Sequence, residues 1–315
     1  MPNVRAILVA DVHLQTRAPV ARAAEPDWFA AMARPLAELQ ELQALHKGAP
    51  IIYAGDIFDR WNAGPELINF ALQHLPFGYA VPGQHDLPNH NYDEIGRSAY
   101  WTLVEAGRIE NLLPNDIHNI ASWGMVLTGY PWGYPVHPEK LVEERRTSNL
   151  PDGPTSVAVV HRMIWQKGTG YPGAPVDRMV GGYRAGLAGY DVAVFGDNHK
   201  GFITKIKGGP VVCNCGGFMR RHADEGAYRP GVGLLYADGT VARHYLDITK
   251  DHFAAATEAE ETVAQILDIT AFMEELQALG VNDALDFTAT LKRFIADNKT
   301  PRRVADIILR ACEGG

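Results

Sequence analysis

Five short apolar runs, each ending in the same few polar residue types, restrict this chain more than any other feature. Residues 4–10 (VRAILVA), 50–54 (PIIYA), 78–81 (GYAV), 156–160 (SVAVV) and 191–195 (DVAVF) read as buried strands. They end in Asp11-Val12-His13, Gly55-Asp56-Ile57-Phe58-Asp59, Pro82-Gly83-Gln84-His85-Asp86, His161-Arg162 and Gly196-Asp197-Asn198-His199-Lys200. Helical patterns separate the first three. Residues 27–46 carry Phe29, Met32, Leu36, Leu39, Leu42 and Leu45 at spacings of three and four, with Asp27 as N-cap. Pro35 predicts a kink or a restart there. Residues 65–74 read as the returning helix. This alternation implies right-handed crossovers and a largely parallel sheet, whose C-terminal strand ends gather functional groups on one edge. Asp11 and His13, two apart, point the same way if extended geometry continues. Gly83 lets the backbone turn without a Cβ penalty, so that Gln84, His85 and Asp86 can be aimed together.

The length, 315 residues, suits one large α/β domain with a small appendage, and a composition 46% hydrophobic and 21% charged is that of a globular protein. A net charge of −8 argues against coating nucleic acid by charge alone, while leaving local contacts open. No apolar run approaches the roughly 20 residues that span a bilayer. The N-terminus leads into a strand without the apolar core of a secretory signal, so a cytoplasmic protein is expected. The cysteines lack metal-type spacing and read as buried thiols, Cys213 and Cys215 sharing a strand face. Helix is expected over 97–106 and a hairpin over 117–128. Residues 129–135 are an aromatic, turn-rich loop, either a rigid packed loop or a stacking surface for a base. Strands over 202–206, 210–212, 233–236 and 241–245 suggest a second sheet packed on the first. Beyond 250 the pattern becomes three short amphipathic helices.

Carboxylate, imidazole and carboxamide without thiolate form the ligand set of hard to borderline divalent cations. Two cations roughly 3.5–4 Å apart can hold a phosphate and generate a hydroxide for in-line attack. One carboxylate must bridge them, and Asp56, central in the order, is the natural choice. In order and spacing, Asp11-x-His13, Gly55-Asp56-x-x-Asp59, Gly83-Gln84-His85-Asp86, His161 and Gly196-Asp197-Asn198-His199 resemble the five motifs of the calcineurin-like metallophosphoesterases. Within that superfamily the Gly-Asp-Ile-Phe-Asp form and the helical tail look most like SbcD-type DNA repair nucleases, phage-encoded versions included.

The resemblance implies an α/β fold of two packed mixed sheets flanked by helices, a four-layer sandwich. It places a catalytic domain over 1–250 and a small helical region over 251–315. It implies a first metal held by Asp11, His13, Asp56 and His199, and a second held by Asp56, Gln84, His161 and Asp197. His85 protonates the leaving oxygen or steadies the scissile phosphate, and Asp86 orients it. The family usually has Asn at Gln84 and His at Asp197. The carboxylate at Asp197 should favour Mn²⁺ or Mg²⁺ over Zn²⁺, with Mn²⁺ expected foremost and Fe²⁺ a further alternative. The expected activity is DNA exo- or endonucleolytic cleavage, with an SbcC-type coiled-coil ATPase docked on the C-terminal helices and a homodimer as a further assembly. Arg145-Arg146, Lys205, Lys207 and Arg220-Arg221 are candidate phosphate contacts or simply solvated surface. The competing readings are a phosphoprotein phosphatase, a small-nucleotide phosphodiesterase, and a scaffold whose second metal site is dead.

Overall fold

Period-two alternation along β1 (Val4–Val9) separates two cores. Ala6, Leu8 and then Ala10 face a second sheet, whereas Ile7 and Val9 face helices. The strand β2 (Ile51–Ala54) repeats the pattern, with Ile52 and Ala54 between the sheets and Ile51 and Tyr53 toward the helices. The computed structural model describes residues 3–137, 154–171 and 173–254. The helices and partner-docking surface expected over 251–315 therefore lie outside the described residues from 255 onward, as does Arg145-Arg146.

The first sheet continues through β3 (Gly78–Val81) and β4 (Ile109–Asn111), all parallel to β1. The second contains β5 (Ile117–Ile120), β6 (Met125–Tyr130), β7 (Thr155–His161), β8 (Val192–Gly196), β9 (Phe202–Lys205) and β10 (Val211–Asn214) in the order β5-β6-β7-β8-β10-β9. Its four inner strands are parallel, and β5 and β9 are antiparallel edges. The late hairpin, β11 (Gly231–Tyr236) and β12 (Val241–Tyr245), does not join this second sheet as expected. It extends the first, with β11 antiparallel to β1 in the order β12-β11-β1-β2-β3-β4. The reason is that β1 is apolar on both faces and needs a backbone partner on each side. Strands β7 and β8, whose ends were expected at the edge of the first sheet, instead belong to the second.

Helix α1 (Trp28–Leu45) runs as one helix through Pro35, without a restart there. Its buried face, including Met32, Leu36 and Leu39, holds it against the sheet, and that burial outweighs one missing backbone hydrogen bond. Asp27 caps it by accepting from Ala30 N. Helices α2 (Pro65–His74) and α3 (Ala99–Glu105) complete that layer. Over the outer face of the second sheet, among the described residues, lies the irregular 164–190 segment, which contributes Ile164, Tyr183, Leu187 and Tyr190 to a third core. Cys213 and Cys215 are buried between the sheets as free thiols. Among the described residues no helix is long and apolar enough to cross a membrane.

A charged network ties residues 220–252 to the start of the chain. Glu25 is paired with Arg22 and Arg34 and accepts from His252 N, while Asp251 pairs with Arg22 and Arg220. Burial alone would raise the Glu25 carboxyl. The His252 N–H, the Arg22 hydrogen bond and the charges of Arg22 and Arg34 outweigh it and hold the group below its ordinary range. A depressed carboxyl contributes stability above its unfolded pKa of about 4.3, lost as pH falls through the lower folded value. Denaturant melts should therefore find Glu25→Gln less stable than the native chain at pH 7, with a gap that narrows toward pH ~3. A gap constant over that range would show that Glu25 acts by packing alone.

Candidate metal centre

The strand ends converge because the backbone after each strand turns sharply. Asp11, His13, Asp56 and Asp197 have φ of 53°, 49°, 53° and 78°, in the left-handed region that side chains rarely adopt. Extended geometry thus does not continue past β1. Instead Asp11 N donates to Gly55 O, His13 N to Asp56 O and Leu14 N to Ile57 O, which locks the first two strand ends side by side. Gly83 is not at a positive φ, its value being −91°. Glycine is required there by close approach, since a Cβ would overlap Asp56 Oδ1 and come within 2.6 Å of Asp56 N.

Asp56 is 1% exposed and sits where both sheets end. Its Oδ1 accepts from His85 N at 3.0 Å. Its Oδ2 faces His161 Nε2 at 3.3 Å and His13 Nε2 at 3.7 Å without a well-formed hydrogen bond. Burial alone would raise this carboxyl, but the facing imidazoles, His161 foremost, outweigh it and hold it far below its ordinary range. His161 is fully buried and donates Nδ1–H to Ala54 O at 2.6 Å. Burial would lower its pKa, but Asp56, Asp11 and Asp197 push it up to about 10. The same Nε2 lies 2.7 Å from Gln84 Oε1. Two oxygens, Asp56 Oδ2 and Gln84 Oε1, therefore crowd one imidazole nitrogen, and only a positive charge between them satisfies all three atoms.

On the other side of Asp56, His13 Nε2 and His199 Nε2 face each other at 3.2 Å. Burial, and then the positive charge of Arg221, keep His199 on the neutral side; burial does the same for His13. Asp11 is buried, its carboxyl raised by burial, and its Oδ2 makes no hydrogen bond. Two imidazole nitrogens and a buried, unpartnered carboxyl oxygen are a cation's donor set. The ligand atoms of Asp11, His13 and His199 lie within 4.8 Å of one another, as do those of Asp11, Asp56 and His161, and those of His13, Asp56 and His85. The residues present thus fit divalent cations on both sides of Asp56.

One placement differs from the expected one, and Asp59 and Asp197 make contacts that the motifs did not specify. Asp86 does not touch the His85 ring. Its fully buried carboxylate accepts from Ile57 N, Phe58 N and Gly83 N at 3.2, 2.9 and 3.0 Å, tying the ends of β2 and β3 together. Asp59 takes the orienting position instead, its backbone oxygen lying 2.8 Å from His85 Nδ1. A carbonyl only accepts, so His85 carries its proton on Nδ1 and has Nε2 left for exchange. Asp59 stood in the second motif without an assigned role, and its main-chain contact had no signal in side-chain chemistry. Asp197, finally, turns Oδ1 to the Gln84 amide at 2.9 Å, so the extra methylene of Gln84 spans from His161 to Asp197. Of the aromatic loop, Trp132 packs against the first core with its ring 6.4 Å from that of His161.

The family model of calcineurin-like phosphoesterases matches residues 4–201, and the chain belongs to that family of metal-dependent phosphoester hydrolases. The two six-stranded mixed sheets and their few flanking helices are its sandwich fold. Among solved structures, the calcineurin-like phosphoesterase YfkN from Bacillus subtilis is 13% identical, covering 82% of this chain and 95% of that one, with a TM-score of 0.42. Phosphopantetheinyl hydrolase (PptH) from Mycobacterium tuberculosis is 14% identical, covering 81% and 100%, with a TM-score of 0.39. No curated protein matches.

If Asp86 is structural, Asp86→Asn turns an amide toward N–H groups that need an acceptor, costing about 1–3 kcal/mol of stability. Melting curves should show that loss together with weaker metal binding. A variant of native stability and native metal content that no longer turns over would restore Asp86 to the chemistry.

Proposed function

We propose that this chain is a two-metal phosphodiesterase, with Asp56 bridging the two ions. The observation that carries this reading is the pair of donor groups on either side of one buried carboxylate, with His85 exposed beside them. Asp11, His13, Asp56 and His199 would hold one ion, and Asp56, Gln84, His161 and Asp197 the other. Divalent cations, when bound, polarise a phosphoryl group and acidify water to supply a nucleophile. The chain's own residues do the rest. His161 would ligate through Nε2, and its Nδ1–H on Ala54 O fixes the ring for that role. His85, held by Asp59 O, presents Nε2 to the leaving oxygen as general acid.

For the substrate, the motif resemblance to SbcD-type nucleases supports DNA. A second reading, a small-nucleotide phosphodiester, is favoured by one observation on charge. Arg220, a candidate phosphate contact, is 7% exposed and spent internally on Asp251, Gly226 O and Ile248 O. With a net charge of −8, that removes one cation from any DNA-binding track. Mn²⁺ remains the cation we expect to serve best.

Protein stripped of metal should be inactive on bis-p-nitrophenyl phosphate and recover with Mn²⁺. His85→Ala should lower kcat by about 10²–10⁴-fold on a diester with an alcohol leaving group while still binding two ions by metal analysis. Full turnover by His85→Ala, or fewer than two ions in the native chain, would contradict the mechanism. Cleavage of small diesters but of neither single- nor double-stranded DNA would remove the nuclease reading alone.

A further inference from the structure

Arg220 and Arg221 are neighbours in sequence with opposite environments. Arg220 is consumed by the charged network beneath the loop. Arg221 points the other way, toward the metal centre, and pairs Nη2 with Asp59 Oδ1 at 3.0 Å. Its Nε and Nη1 are buried with no hydrogen-bond partner, so Asp59 is its one ion-pair partner among the described residues. The segment bearing it is fastened to the site at several points. Gly217 N donates to His199 O and Phe218 N to Asp11 O, both at 3.1 Å, and Arg221 N donates to the Glu225 carboxylate.

Asp59 is the residue this pair acts on. Its N–H is bound to Leu14 O at 2.9 Å, and its carbonyl meets His85 Nδ1 at 2.8 Å. Its carboxylate lies 3.6 Å from His13 Nδ1. We propose that Arg221 is a positioning residue for His85: by pairing with the Asp59 side chain, it fixes in place the residue whose carbonyl accepts from His85 Nδ1–H. A carbonyl only accepts, so this partner fixes the tautomer and the orientation of the His85 ring.

The inference rests on the phosphodiesterase reading and on His85 as the leaving-group acid. Its test compares two diesters that differ only in leaving group: an aryl group that departs without a proton, and an alcohol that needs one. Arg221→Gln should lower kcat on the alcohol diester about 10-fold or more, with KM little changed, and leave the aryl diester within about 3-fold. Arg221→Lys should recover part of the loss. Asp59→Asn keeps the carbonyl and removes the pair from its other side, so it should show the same selectivity and serves if Arg221→Gln is unstable. Metal content should equal that of the native chain in all three. Equal losses on both diesters, a raised KM with native kcat, or lost metal would overturn the positioning role. His85→Ala is the control. If it discriminates between the leaving groups and the Arg221 and Asp59 variants do not, the inference fails alone. If the native chain cleaves neither diester, the inference and the phosphodiesterase reading fall together.

Discussion

A carboxylate buried at the meeting of two sheets has to be compensated, and Asp56 is compensated from every side. His85 N–H takes one oxygen, while His161 and His13 face the other. Removing such a charge from water costs several kcal/mol even after relaxation, so the surrounding elements must supply positive charge or lose the fold there. The close approach at Gly83, the left-handed turns at Asp11, His13 and Asp56, and the Asp86 brace between two loops all exist around this one group. Each is unfavourable or constraining locally. Together they hold a donor set that a cation completes.

The sheets are what make this arrangement rigid. Asp11, Asp56 and Gln84 follow strands of the first sheet, while His161, Asp197 and His199 follow strands of the second. The apolar layer between them, built from Ala6, Leu8, Ile52, Val157, Val159 and Val194 among others, fixes the spacing of the two sets. A site split between two sheets is thereby as well defined as one on a single edge. The hairpin β11–β12 contributes by closing the open side of β1, so the strand that delivers Asp11 and His13 is paired on both edges.

Much of this was legible in the sequence, for a physical reason. Buried strands tolerate polar residues only at their ends, so Asp, His and Gln immediately after apolar runs had to be there for chemistry or for turns. Asp11, His13, Asp56, Gln84, His85, His161, Asp197 and His199 were visible on that ground, and they do meet. What stayed hidden depends on the backbone and on long-range pairing. A left-handed Asp looks like any other Asp, and the carbonyl of Asp59 has no side-chain signature. Asp86 sat beside His85 in sequence, yet its turn sends the carboxylate to three N–H groups behind the site. Arg220 and Arg221 were indistinguishable until the chain placed one in a buried network and the other on Asp59.

The central claim is that Asp56 is shared between two cations, and anomalous diffraction from Mn²⁺-soaked crystals tests it most directly. The account predicts two manganese peaks that both contact the Asp56 carboxylate, one beside His13 and His199 and the other beside His161 and Gln84. A single peak, or two peaks that do not share Asp56, would contradict it.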